Sequence, residues 1–391
     1  VTASTVTVGA AKGYFINTTS NACTITLPSS AEAGDQVILI DYARTWGTNA
    51  ITIDSNGLLF QGEEDTYIVD YDTAGQALNL VYSGATVGWT PSSDIVNALE
   101  PVAPTIQKAI FGYGKTSSDV SLTNLVNSSG VVATDVTGVG TARNNLAASS
   151  YGGDKAIFGY GRTSTQVSMT NLVNNSGVVA TDVSGVGTAR QSLAAASYGG
   201  DKAIFGYGTD SSLTNLVTNQ GVVGNDVSGV GTARNDLAAA SYGGDKAIFG
   251  YGYYYSGGVV NYSLTNKVSN SGVVASDTTG VGTARYLLAA AGYGGDKAIF
   301  GFGTTGSVTG LTNLVSNTGV VASNVSAVGT ARKGLAAAGY GGDKAIFGYG
   351  TTGSLTAITN LVNNSGVVAS DVSGVGTARE KPAAAGFSYA S

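Results

Sequence analysis

The sequence contains no histidine. That absence removes Ser-His-Asp and Cys-His catalytic systems and every histidine-ligated metal site. Cysteine occurs once, at Cys23, so no internal disulfide can form and stability must come from packing or oligomerisation. Cys23 sits in the strand-like run Ala22-Cys-Thr-Ile-Thr-Leu27 and reads as a buried packing thiol. Charged residues are only 11% of the chain, and neither half carries a basic stripe suited to a phosphate backbone, which sets nucleic-acid binding aside. No run of 18 apolar residues occurs, so no membrane insertion is expected. The chain opens at Val1 with neither a signal-like charged segment nor an initiator Met, which admits a trimmed or processed form.

What is abundant points one way. Helix-favouring Leu, Lys and Glu are sparse, whereas Val, Thr, Tyr and 58 Gly dominate, the profile of an all-β protein with many tight turns. A hydrophobic content of 43% is enough for a core. The net charge of −6 is uneven: residues 1–100 hold two basic and eleven acidic residues, and residues 101–391 hold seventeen and fourteen.

Self-similarity then dominates. Lys-Ala-Ile-Phe-Gly-aromatic-Gly begins at Lys108, Lys155, Lys202, Lys246, Lys297 and Lys344, at spacings of 47, 47, 44, 51 and 47 residues. Each copy runs on through Leu-Thr-Asn-Leu-Val or a variant, Asn-Ser-Gly-Val-Val or a variant, Gly-Val-Gly-Thr-Ala-Arg or a variant, and Leu-Ala-Ala-Ala. In the second unit four short apolar segments stand out: Ala156–Tyr160, Met169–Val173, Val178–Val183 and Leu193–Tyr198. They are too short for helices, and turn signals separate them. Four antiparallel strands per period of this length predict a propeller blade. The small side chains of Leu-Ala-Ala-Ala place that strand innermost. The terminal run Pro382-Ala-Ala-Ala is expected to complete the first unit beside Ala109–Tyr113, leaving no open edge.

The stretch Thr188-Ala-Arg190, Leu193-Ala-Ala-Ala, Tyr198-Gly-Gly-Asp and Ala203-Ile-Phe-Gly-Tyr-Gly208 resembles kelch repeats, and the resemblance covers 108–391. Gly-Tyr-Gly stands where kelch repeats usually carry Gly-Gly, and their usual Trp is missing. The resemblance implies a six-bladed kelch-like β-propeller.

The six copies differ in two places. One is the stretch after Gly-aromatic-Gly, of 7, 7, 4, 11, 7 and 7 residues. The other is the pair after Thr-Ala-Arg: Asn144-Asn145, Gln191-Ser192, Asn235-Asp236, Tyr286-Leu287, Lys333-Gly334 and Glu380-Lys381. Alternate connections of an antiparallel sheet share an end, so both variable places are expected on one face, the pattern of a binding surface. The longest insertion, Tyr253–Ser263, adds Tyr253, Tyr254, Tyr255 and Tyr262, rings suited to adaptable contacts and to stacking on sugars. Candidate contact residues are these four with Tyr286, Asn144, Asn145, Gln191, Asn235, Asp236, Arg162, Asp210 and Lys333.

Residues 1–93 lack the repeat. Strand-like runs at Thr5–Val8, Tyr14–Asn17, Cys23–Leu27, Gln36–Tyr42, Ile51–Ile53, Tyr67–Val69, Leu78–Tyr82 and Val87–Trp89 suggest a β-sandwich. Gly13-Tyr-Phe-Ile, Thr24-Ile-Thr-Leu-Pro28, Gly34-Asp-Gln-Val-Ile, Ile51-Thr-Ile-Asp54, Leu80-Val-Tyr82 and Gly88-Trp89 resemble the small β modules of bacteriophage tail fibres and other virion proteins. That resemblance implies a homotrimeric attachment module, other virion proteins as partners and a place on the virion surface. Residues 94–107 read as a linker, with one or two helical turns at Ser93–Glu100 capped by Ser93 and a stiff spacer at Pro101–Pro104.

Several chemistries are set aside. The six-fold Arg and Asp sets read as structural pairing rather than a ligand ring. A propeller glycosidase would pair carboxylates near the axis, and the single-copy acids Asp119, Asp210, Asp236 and Glu380 make a weak case. Glu63-Glu-Asp65 reads as a solvated turn in preference to a calcium site, and the sequons at Asn17 and Asn174 read as turns. No cofactor is expected, and the chain reads as a non-enzyme. The preferred function is a phage fibre protein presenting a propeller face to a host-surface glycan or protein. The alternatives are a purely structural decoration protein docking another virion protein, and a glycan hydrolase.

Overall fold

A computed structural model describes residues 1–64, 69–95, 106–326 and 328–388. The protein is all-β, with twenty-eight strands and no helix among the described residues. It divides into two compact units, Val1–Ala103 and Pro104–Ser391.

The first unit has eight strands: β1 (Thr5–Thr7), β2 (Lys12–Ile16), β3 (Cys23–Thr26), β4 (Gln36–Asp41), β5 (Ile51–Asp54), β6 (Val69–Tyr71), β7 (Ala77–Tyr82) and β8 (Trp89–Ile95). They form two four-stranded sheets, ordered β1-β3-β5-β6 and β2-β4-β7-β8. The early chain alternates between the sheets, so strands two apart in sequence meet side by side and parallel: β1 with β3, β3 with β5, and β2 with β4. Hairpin pairing returns only at β5–β6 and β7–β8. One core joins both sheets, built from Ile25, Leu39, Trp46, Ile53, Leu80 and Trp89 among others. Strand β7 alternates buried with partly exposed residues, as a sheet with one wet face requires. Cys23 is buried, as its setting in the sequence suggested, and burial pushes its thiol up. The helical reading of Ser93–Glu100 is corrected for 93–95, which continue β8 by pairing with Ala77–Asn79. The rest of that segment and the Pro101–Pro104 spacer lie outside the described residues.

The second unit has six three-stranded antiparallel sheets and one two-stranded hairpin. In the second, Ala147–Tyr151 pairs with Lys155–Gly159, which pairs with Thr170–Val173. The third is Ala194–Tyr198, Lys202–Gly206 and Thr214–Val217; the fourth is Ala238–Tyr242, Lys246–Gly250 and Thr265–Val268. The fifth and sixth repeat this at Ala289–Tyr293 and Ala336–Tyr340. The first sheet is assembled from distant parts: Ala383–Phe387 pairs with Lys108–Gly112, the neighbour expected from the sequence. Inner strands touch in cyclic order, each against the next, and Ala383–Phe387 lies against both Ala336–Tyr340 and Ala147–Tyr151.

The expected fourth strand is corrected. In the second unit Val178–Val183 forms no continuous strand: it meets its sheet through isolated bridges at Val179 and Val183 and single bonds such as Ala180 N–H to the Leu172 carbonyl. Its Gly-Val-Val start leaves a tight turn and then pairs intermittently, and Val178 is 61% exposed.

The middle strand explains why the repeat is so constant. Its burial is continuous from Ala156 to Gly159, because a sheet lies on each face. A Cβ at Gly159 would stand 2.6 Å from Cζ of Phe205 in the next sheet, so only glycine lets the sheets close up. Tyr160 follows in the left-handed region at φ 62°, turning its ring against Phe205 at 5.1 Å. The fully buried Arg190 then rivets the third sheet to the second. Its guanidinium lies 4.7 Å over the Tyr160 ring, while Nε donates to the Tyr207 carbonyl and Nη2 to Asn215 Oδ1. Arg379 does the same between sixth and first sheets, over Tyr349 and onto Tyr113 and Asn124.

Arg190→Met removes a buried cation and takes away the guanidinium donors to Asn215 Oδ1 and the Tyr207 carbonyl and the countercharge of Asp226. We expect a loss of about 3 kcal/mol in urea unfolding, and an unchanged midpoint would refute the rivet. Gly159→Ala should cost about 1–3 kcal/mol in the same measurement, through overpacking against Phe205.

Candidate functional site

The two variable places are physically joined. The first residue of each variable pair bridges the residue after Gly-aromatic-Gly: Asn144 with Arg162, Asn235 with Tyr253, Tyr286 with Thr304 and Lys333 with Thr351. Gln191 reaches its counterpart by donating its N–H to Thr209 Oγ1 at 3.0 Å. The unequal segments of the repeat therefore gather at one end of the sheets. The other end carries the constant Gly-Gly-Asp-Lys turns, closed by neighbouring ion pairs such as Asp154–Lys155 at 2.8 Å.

The Tyr253–Ser263 insertion is a hairpin: Tyr253–Tyr255 pairs with Val259–Asn261. Tyr255 is exposed, as are Val259 and Val260, while Tyr254 and Tyr262 are half-buried. Tyr253 packs against Tyr286 with ring centroids 4.8 Å apart. Burial, then the charges of Asp236 and Asp210 and the Tyr286 ring, push the Tyr253 hydroxyl up to about 12.

Two candidates are corrected. Asn144 and Asn235 are buried. Their amides donate to Asp119 and Asp210, each at 2.6 Å, so they hold loops rather than face a partner. Those contacts also tie up two of the single-copy acids weighed for catalysis. Arg162 and Asp210 are exposed, and Gln191 and Lys333 half-buried.

The second residues of the pairs do something the sequence did not announce. Asn145, Ser192, Asp236, Leu287, Gly334 and Lys381 all adopt φ between 48° and 61°. Each N–H from Ser192 onward donates to the carbonyl of the preceding member, at 2.6–3.0 Å. With the Leu-Ala-Ala-Ala starts they line a single cavity of about 120 Å³ bordered by all six sheets. Asn, Asp and Gly at half of these positions were the available signal, since those residues tolerate the left-handed region. Burial pushes the Asp236 carboxyl up, against the Ser192 hydroxyl beside it and the more distant charge of Lys381.

The six-fold Arg and Asp sets are structural. Thr141 donates through both N–H and hydroxyl to Asp182, and Asn171 donates to the same carboxylate. Arg143 Nη1 stands 4.0 Å from it. Asn324 keeps the geometry without charge, accepting from the Thr283 N–H and donating to its hydroxyl. The sequon asparagines Asn17 and Asn174 cap turns by accepting from Thr19 and Ser176. Among the described residues no three His, Cys, Asp or Glu side chains gather as a metal site; the Glu63–Asp65 turn lies partly outside them.

A scan of protein-family models matches none to this chain, and a search of the curated proteins gives no match.

Burial raises the carboxyls of Asp135, Asp182, Asp226, Asp277 and Asp371, but hydrogen bonds from Thr and Asn and the nearby Arg outweigh it and hold each below the ordinary range. Their stabilisation is complete above the unfolded value of about 3.9 and disappears as pH falls through the lower folded values. Urea midpoints should therefore drop as pH falls below about 4, and less steeply in Asp182→Asn; equal slopes would refute the assignment.

Proposed function

We propose that the six sheets are the blades of one kelch-like β-propeller, and that its variable face recognises a surface molecule rather than catalysing a reaction. The cyclic order of inner-strand contacts and the pairing of Ala383–Phe387 with Lys108–Gly112 support the propeller. The single observation that carries the recognition reading is the bridging of unequal segments to one another at one end of the sheets, with turns of constant length and nearly constant sequence at the opposite end. Drift alone would spread the differences over both ends. The exposed tyrosine hairpin supplies broad amphipathic area at low entropic cost, the chemistry of glycan and protein contact.

The setting is a bacteriophage particle in this reading. The first unit serves as a β-sandwich attachment module, trimeric and bound to other virion proteins, while the propeller faces the host envelope, with a glycan as the preferred ligand. Resemblance of the 13–90 segment to fibre modules supports this.

Replacing Tyr253–Ser263 with the four-residue segment Thr209–Ser212 should leave the melting temperature within a few degrees. Adsorption of labelled protein to a panel of bacterial strains should fall at least tenfold. Full adsorption by a folded variant would overturn the reading.

A further inference from the structure

The two sheets of the first unit share one core but differ on their outer faces. On the sheet β1-β3-β5-β6 the outward residues include Thr24, Thr26, Thr52, Asp54 and Asp70. They bond among themselves, as where Thr52 Oγ1 donates to Asp70 Oδ1 at 2.7 Å. That is an ordinary wet face. On the sheet β2-β4-β7-β8 the outward positions hold Phe15, Ile38, Ile40, Ala77 and Val81, with Tyr42 just past the end of β4. Phe15 is 59% exposed and Tyr42 64%, and their rings meet edge to face at 6.2 Å. The polar side chains among them, Gln36 and Asn79, bond to each other. None of these outward positions is charged.

Strand β4 thus runs Val37-Ile-Leu-Ile40, apolar toward both sides, the composition of a strand covered on both faces. The core covers its inner side, and its outer side is open in the single chain. Two exposed aromatic rings among aliphatics, without charge, have the make-up of an interface centre. The charge of the unit says which partner fits. Residues 1–100 hold two basic and eleven acidic residues, so copies of the unit repel across most of their surface. This face lets copies approach without setting acid against acid, whereas a basic partner would find no countercharge on it. At one end the face runs into a groove bordered by both Lys12 and Asp35. One copy's cation therefore has a carboxylate to meet on the next: Asp35 Oδ2 accepts the Glu32 N–H, which leaves Oδ1.

We propose that the face carrying Phe15, Ile38 and Tyr42 is the surface through which copies of this chain assemble. This rests on the reading of the first unit as a self-associating attachment module, and it names the surface that does the associating.

Sedimentation velocity of the full chain over a concentration series tests it. The unaltered chain should sediment as an oligomer, of three copies on the attachment reading. Phe15→Glu combined with Ile38→Glu should weaken assembly by at least about tenfold, while Thr52→Glu, on the wet face, should leave it unchanged. Both tryptophans, Trp46 and Trp89, lie in the core of this unit, so their fluorescence reports whether each variant folds. Where the paired glutamates unfold the unit, Ile38→Thr keeps a β-branched residue and should weaken assembly in the same direction. Assembly of full strength in a folded face variant overturns this face and leaves the oligomeric module standing. A monomeric unaltered chain overturns the face and the module's self-association together, and hands the face to a partner of another kind. Neither result touches the recognition reading, which the shortened tyrosine hairpin tests by itself.

Discussion

Each buried arginine of the repeat belongs to one connection and bonds to the sheet that follows. In Arg190 the guanidinium covers Tyr160 of the second sheet and its nitrogens reach Tyr207 and Asn215 of the third, and Arg143 and Arg379 bond in the same way. A fully buried guanidinium is costly unless its donors are met, and here a backbone carbonyl, a side-chain amide and a carboxylate at 3.4 Å meet them. The Gly159–Phe205 contact sets the spacing that makes this geometry reachable. Small inner residues, glycine before each left-handed aromatic and the Thr–Asp clasp all follow from placing one guanidinium between two sheets.

That arrangement also says where the sequence is free to change. The rivet and its partners vary little among the six copies: Phe302 replaces tyrosine under Arg332, and Asn324 replaces aspartate yet keeps both bonds to Thr283. The segments that differ in length, and the residue pairs that precede the inner strands, lie beyond the rivet at one end of the sheets. Their backbones are still fixed, by bridges such as Asn235–Tyr253 and by the N–H to carbonyl chain from Asn145 to Lys381. Side-chain chemistry can therefore diverge there over a rigid frame.

Much of this was legible in the sequence because the repeat is written six times. The inner, middle and third strands, the junction of Ala383–Phe387 with Lys108–Gly112 and the structural role of the arginines follow from periodicity and side-chain size. The outer segment was not, since Val178–Val183 has a strand-like composition but too few partners to pair continuously. The parallel pairs of the first unit were hidden as well: alternation of apolar residues reports which face is buried, not which strand lies alongside. In the candidate site, exposure of Asn144 and Asn235 was misjudged because polarity alone does not reveal that Asp119 and Asp210 wait within bonding reach. The cavity rim was missed because left-handed backbone is announced by Asn145, Asp236 and Gly334 but concealed by Leu287 and Lys381.

The joining of Ala383–Phe387 to Lys108–Gly112 has a kinetic corollary. Arg379 and the Tyr113 carbonyl that it meets are 266 positions apart, among the most remote contacts in the molecule. During synthesis the middle five sheets can form in order of emergence, each from neighbouring residues. The earliest repeat strands must stand without their inner partner until the distant segment leaves the ribosome. Closing that loop is an entropic step that local contacts cannot hasten. The nascent chain thus carries an unfinished sheet edge through most of its elongation, and that interval is when pairing with a second chain competes with completion of the fold.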